Sequence, residues 1–303
     1  MPIIIGYVVV IASTLVGFVF SGGFLGALFQ PLEFLIIGGT AIGAFIVSNE
    51  IKVMKATLKA IGQLFKTSKY NKTLYLTLIN LMYTILTKIR QNGGLSIEAD
   101  IDNPNESELF KQYPLILANS KICDFITDYI RLMISGNMNV YEIEALMNEE
   151  IETTLEELTK PADALASMGD GLPAFGIVAA VMGVITTLAH ADRPAGEIGE
   201  LIAHAMVGTF LGILLSYGFV TPLSALLRQQ NANSIKALEC TKVILIASMH
   251  GYVPQICIEF GRKTIFSNER PSFFELEQYI QEIKSNNKAH KTNNAEETEN
   301  NEQ

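Results

Sequence analysis

Few groups in this 303-residue chain are placed to handle a proton or an ion away from water. Two apolar runs in its second half, Gly171–Ala189 and Leu201–Leu227, offer His204 and the hydroxyls of Thr186, Thr187, Thr209 and Ser216 for such work. No Asp, Glu, Lys or Arg lies within either run, nor within the earlier runs Pro2–Phe20 and Phe34–Ser48. A path for protons at membrane depth normally needs an ionisable group. His204 sits near one end of its run and reads as a hydrated or hydrogen-bonded histidine rather than a relay. A chain so built cannot carry protons alone, and the carboxylate has to arrive on a partner. Pro173 and Pro222 also interrupt the apolar runs; each removes a backbone hydrogen bond and kinks a helix. Singly they read as static kinks, while their matching depths allow a paired hinge.

Other chemistry is poorly supplied. Cys123, Cys240 and Cys257 form no CxxC pair and no metal-ligand spacing, so they read as buried, reduced thiols. There is no nucleophile–base pair, no HExxH and no glycine-rich phosphate loop. Neither an enzyme nor a bound cofactor or metal is expected. The formal net charge is −9 with a sequence pI of about 5.1, against the basic stripe of a nucleic-acid binder.

The elements that position these residues follow from hydropathy. Half of the chain (49%) is hydrophobic and 17% is charged, below the roughly 25% of soluble domains. The four apolar runs are read as membrane-spanning helices; the second is stretched over Leu35–Ile51 to cross about 30 Å of hydrocarbon. Two shorter uncharged runs, Thr73–Thr87 and Val243–Ile258, read instead as buried helices of a water-soluble part. The loop Ser21–Leu32 has no Lys or Arg, whereas Lys52, Lys55 and Lys59 cluster beside the second span. The positive-inside rule then places both termini and the long middle segment in the cytoplasm. Gly176, Ala180 and Gly183 punctuate the third span, and Gly208, Gly212 and Ser216 recur every fourth residue in the fourth. Such residues let helix backbones approach closely in lipid, either within the subunit or against a neighbour.

Residues 52–169 are too many for a loop. Val140, Ile143, Leu146, Met147, Ile151, Leu155 and Leu158 recur at helical steps among glutamates, as in an amphipathic helix leading into the third span. Arg228–Ala247 continues the fourth span, Pro271–Ser272 opens a further short helix, and from Ser285 the composition predicts a disordered tail. The fold class is therefore an all-α integral membrane protein with four transmembrane helices. Its helical cytoplasmic domain is formed by the segment between spans two and three and by the C-terminal segment. The divisions are 1–51 and 170–227 for the spans, 52–169 and 228–284 for the cytoplasmic parts, and 285–303 for the tail.

The stretches GDGLPAFGIVAAVMGV (169–184) and ADRPAGEIGELIAHAMVGTFLGILLSYGFVTPL (191–223) resemble the A subunit of the bacterial flagellar motor stator. So do SGGFLGALFQPLEFLIIGG, ISGNMNVYEIEALMNEEIE and EFGRKTIFSNERPSFFELE. The resemblance implies an inner-membrane ring of five such subunits around two B subunits, each bringing one transmembrane helix with an essential Asp. It implies that Arg90 and Glu98 engage the rotor switch protein, and that Pro173 and Pro222 couple ion flow to shape change. It also places Thr209 beside the partner's Asp. Sodium-driven relatives carry Thr where this chain has Ala180, so the resemblance implies proton coupling. The alternative is a related proton channel of the type that energises outer-membrane processes.

Overall fold

In a computed structural model of the protein, residues 2–66, 69–278 and 280–281 are described. Every regular element among them is helical: α1 (Pro2–Phe20), α2 (Pro31–Ser48), α3 (Ile51–Leu64), α4 (Lys72–Asn92), α5 (Glu98–Asp102), α6 (Glu108–Lys111), α7 (Pro114–Leu117), α8 (Ser120–Ser135), α9 (Val140–Leu188), α10 (Ala195–Leu215), α11 (Thr221–Met249) and α12 (Pro254–Thr264). Short 3-10 turns occupy Leu25–Leu28 and Gly94–Ile97, a π-helical segment occupies Ser216–Val220, and residues 273–278 are helical. The tail expected from Ser285 lies outside the described residues.

Helix limits follow local chemistry. Pro31 starts α2 at the first turn, where a missing N–H costs nothing. Asn71 caps α4 by accepting a hydrogen bond from the Leu74 amide at 3.0 Å. Gly93, at φ +82°, stops it, a conformation that favours glycine. Asn139 and Glu142 form a reciprocal box at the start of α9: each backbone N–H donates to the other's side chain, at 2.8 and 3.1 Å.

Four stretches are long and apolar enough to cross a membrane: Ile3–Phe20, Leu25–Ser48, and parts of the continuous helical stretches Val140–Leu188 and Ala195–Met249. The second begins earlier than the run Phe34–Ser48 suggests. Hydropathy alone discards Glu33, but Pro31 sets the helix start, so Glu33 stands in the first turn of α2. The expectation that every span is free of formal charge is corrected at this residue.

The chain forms two compact units. The first contains residues 1–68 and 155–231, and its packing depends on small residues. A Cβ on Gly176 would stand 2.7 Å from the Gly208 carbonyl oxygen and 3.0 Å from the Gly212 Cα; one on Gly212 would stand 2.7 Å from the Leu172 oxygen. One on Gly183 would lie 2.6 Å from the Ala205 Cβ. The glycine pattern thus serves α9–α10 contact inside the subunit. Ile37, Ala41, Leu172, Ala179, Val207 and Leu211 fill the core around that seam. A second cluster joins Leu64, Ala162, Leu165 and Leu227. There Ser224 donates to the Ala162 carbonyl at 2.8 Å, Asn231 donates to the Leu158 carbonyl at 2.5 Å, and Arg228 pairs with Asp163 at 2.8 Å. Large apolar side chains elsewhere on these helices remain exposed, among them Ile5, Val8, Leu35, Val47, Ile185 and Met206, as lipid or other subunits require.

Among the described residues, the second unit contains 69–154, 232–278 and 280–281. The Thr73–Thr87 run is buried there: Leu78, Ile79, Leu81, Met82 and Ile85 lose all contact with solvent. Phe125, Tyr129 and Ile130 of α8 and Ile143 and Met147 of α9 are buried as well. Leu146 stays partly open, at 43%, because the buried stripe of α9 here follows the i, i+4 series Ile143–Met147–Ile151. Tyr129 donates to Glu150 at 2.7 Å. Burial pushes the thiols of Cys123 and Cys240 up to about 11 and about 12, so both stay protonated and unreactive near neutral pH.

Replacing Gly212 by Val is expected to force α9 and α10 apart and to cost about 1–3 kcal/mol. Thermal unfolding in detergent checks this; Gly196→Val, at a site with open space around it, serves as the control.

Candidate functional site

The seam between α9 and α10 carries Ala180 and Thr209 to a shared groove. The two residues line it with Val184, Ile202, Ala205 and Met206. The groove has a volume of about 160 Å³, room for one or two side chains of a docked helix rather than for the helix itself. Its lining holds one hydroxyl, from Thr209, and no carboxylate.

The two prolines weaken neighbouring turns. Pro173 lies inside α9 and offers no N–H to the Gly169 carbonyl four residues earlier. Pro222 lies at the start of α11, and its ring would press on the Gly218 carbonyl in a regular helix. The chain answers by widening: Ser216–Val220 is π-helical, and the Thr221 N–H bonds to the Ser216 carbonyl five residues back. Tyr7 of α1 donates its hydroxyl to the Phe219 carbonyl at 3.1 Å, and their rings pack with centroids 4.9 Å apart. A Cβ on Gly169 would lie 2.8 Å from Thr221 Oγ1 and 3.5 Å from Val220 Cγ1. The weakened turn of one helix therefore faces the widened turn of the other. The hydroxyls of Ser216 and Thr221 are buried here without a hydrogen-bond partner among the described residues.

Three features at these helices are absent from the sequence reading. Pro161 is a further proline inside α9, and its residue type was signal enough. The π-helical segment had only Pro222 and Gly218 to announce it. The third is Glu33, whose Oε2 is buried and unpartnered and would lie 2.6 Å from a Cβ on Gly208.

Arg90 and Glu98 lie in the second unit. Arg90 lies in the last turn of α4, Gly93 breaks the helix, and Glu98 opens α5 after the turn Gly94–Ile97. Both are exposed, and neither belongs to an ion pair among the described residues. Burial raises the Cys257 thiol, and the nearby Arg90 charge opposes that rise. No group of three or more His, Cys, Asp or Glu placed to hold a metal occurs among the described residues.

Family models match both halves of the chain: motility protein A N-terminal over residues 4–93, and the MotA/TolQ/ExbB proton channel family over residues 118–240. The chain belongs to the motility protein A family. Motility protein A of Salmonella typhimurium is 57% identical over 97% of this chain and 100% of its own length. That of Escherichia coli is 56% identical over 94% of this chain and 97% of its own. The chemotaxis protein LafT of Vibrio parahaemolyticus is 34% identical over 92% and 98%. Among solved structures, the flagellar MotAB stator complex from Bacillus subtilis superposes with a TM-score of 0.66 at 25% identity, over 84% of this chain and 92% of that one. The C. jejuni MotAB structure shares the fold with a TM-score of 0.73 at 23% identity, over 90% and 98%.

An unpartnered buried hydroxyl destabilises a protein relative to the same site without it. Ser216→Ala is therefore expected to leave thermal stability in detergent unchanged or to raise it by about 1 kcal/mol. A loss of that size would mean that the Ser216 hydroxyl has a partner in the assembled complex.

Proposed function

We propose that this protein is the ring-forming A subunit of a proton-driven flagellar motor stator. It works with a B subunit whose single transmembrane helix carries an Asp, and it turns proton flow into torque on the rotor. The observation that carries this reading is 57% identity to Salmonella motility protein A across the whole of that protein. The match of residues 4–93 to the motility protein A N-terminal model favours it over the outer-membrane-energising channels.

The parts take roles that fit their chemistry. The Ala180–Thr209 groove receives the B-subunit helix, whose Asp supplies the missing carboxylate. Ala180 offers no oxygen to replace a sodium ion's water, which suits protons. The facing turns at Pro173 and Ser216–Val220 yield when that Asp gains or loses its proton. Five copies form the ring in the inner membrane, with both termini, residues 52–169 and residues 228–284 in the cytoplasm. Arg90 and Glu98, exposed and in no ion pair among the described residues, meet opposite charges on the rotor switch protein; such contacts give fast, reversible engagement.

The test is complementation. The chain and its B subunit are expected to restore swimming to a cell lacking its own stators. Motility should collapse on adding a protonophore at constant sodium, and persistence would overturn proton coupling. Arg90→Glu with Glu98→Lys should impair swimming while membrane insertion is retained; normal swimming would remove the rotor role. Pro173→Ala should cut torque without loss of expression, and unaffected torque would count against the hinge.

A further inference from the structure

Glu33 introduces a carboxylate where the hydropathy pattern leaves none. It stands in the first turn of α2, on the outer side in the orientation proposed above. The Cβ position of Gly208 lies 2.6 Å from Glu33 Oε2, 3.1 Å from the Ala179 Cβ and 3.3 Å from the Ala180 amide nitrogen. The space at Gly208 that the carboxylate enters is thus bordered by Ala179 and Ala180, and Ala180 and the next residue after Gly208, Thr209, line the groove. Glycine at 208 makes the space: any side chain there would displace the carboxylate.

The carboxylate oxygen has no hydrogen-bond donor among the described residues. A carboxylate kept for structure is satisfied by donors, because an unpartnered one is costly to bury. One that takes up and releases a proton has to be left free to do so. A line of titratable groups leads to it. Glu200, His204 and Gly208 follow at four-residue steps on one face of α10, each step rising about 6 Å. Glu200 is exposed, and its Oε1 lies 4.0 Å from His204 Nε2. Near the outer end, α10 also carries Glu197, which pairs with Arg193 at 3.6 Å; His190 and Asp192 complete the charged groups of that loop. The spanning part of α9 and the turn Leu25–Leu28 present no titratable side chain, and α1 presents Tyr7 alone.

We propose that Glu33 is a proton-accepting carboxylate that loads the ion path from the outer side, fed along Glu200 and His204. The inference rests on the stator reading. A hydronium ion protonates Glu33 and becomes water; the neutral carboxyl then gives that proton, through water, to the carboxylate that the B-subunit helix brings to the groove. Glu33 returns to its anion, and no other bond changes. Collecting protons is slow only where they are few, so Glu33 governs the rate chiefly when outside protons are scarce.

The experiment compares wild type, Glu33→Gln, Glu33→Asp and His204→Gln, each with the B subunit, in cells lacking their own stators. Swimming speed is followed from an outer pH of about 6 to about 8.5, across the range where collecting protons becomes limiting. Glu33→Gln should swim close to wild type at the acid end and about threefold or more slowly at the alkaline end. Glu33→Asp should keep the wild-type profile, and His204→Gln should show part of the Gln variant's loss. A Glu33→Gln profile parallel to wild type, lowered or not, would overturn the proposal, since a packing defect slows rotation equally at every pH. A second readout does not depend on rotation: in vesicles carrying the complex, the carboxylic C=O infrared absorption should grow as the outer pH falls, and one component of it should be missing from Glu33→Gln. If wild type fails to restore swimming while that band behaves as stated, the stator reading fails and the proton-accepting role stands; if the band is the same in Glu33→Gln, the role of Glu33 is refuted.

Discussion

The backbones of α9 and α10 touch, and the arrangement of the membrane unit depends on that contact. Gly176 meets the Gly208 carbonyl and the Gly212 Cα at distances no side chain would allow. Lipid provides little hydrophobic drive for helix association, so close packing of small residues has to supply it. The contact fixes the register of the two helices, and the register decides which residues share the groove. Ala180 and Thr209 meet there because Gly176 and Gly212 meet below them. Glu33 reaches the same seam from α2 because position 208 has no Cβ.

Against that tight seam, the turns around Pro173 and Pro222 are loose. Each proline forfeits a backbone hydrogen bond, and the chain widens into a π-helical segment rather than breaking. Two buried hydroxyls, Ser216 and Thr221, have no partner among the described residues beside it. A rigid crossing next to an under-bonded turn suits a protein that moves between arrangements, because the strain is confined to a few residues.

Much of this was legible in the sequence, for physical reasons that also explain what was not. Spans could be found because lipid demands long apolar runs, and the small-residue pattern because close packing demands glycine. The partner of that pattern was not legible: glycines at four-residue steps look alike whether they face a helix of the same chain or of another. Glu33 escapes the hydropathy pattern because an uncharged run starts only after it, whereas the helix begins where Pro31 permits. The π-helical segment left no mark beyond Pro222 and Gly218, since widening depends on what surrounds the turn. The pairing of Ala180 with Thr209 came from family resemblance, because nothing in their spacing marks either as special.

The widened turn at Ser216–Val220 also works as a phase shifter. It places one more residue in a turn than an α-helix holds, which rotates everything beyond it by about 100°. Ser224, Arg228 and Asn231 share one face of α11 by their spacing, and the rotation turns that face onto the Ala162 carbonyl, Asp163 and the Leu158 carbonyl. Losing a single residue from this turn would therefore leave both flanking helices in alignment with their partners. The same loss a few positions to either side would swing those three side chains away from theirs.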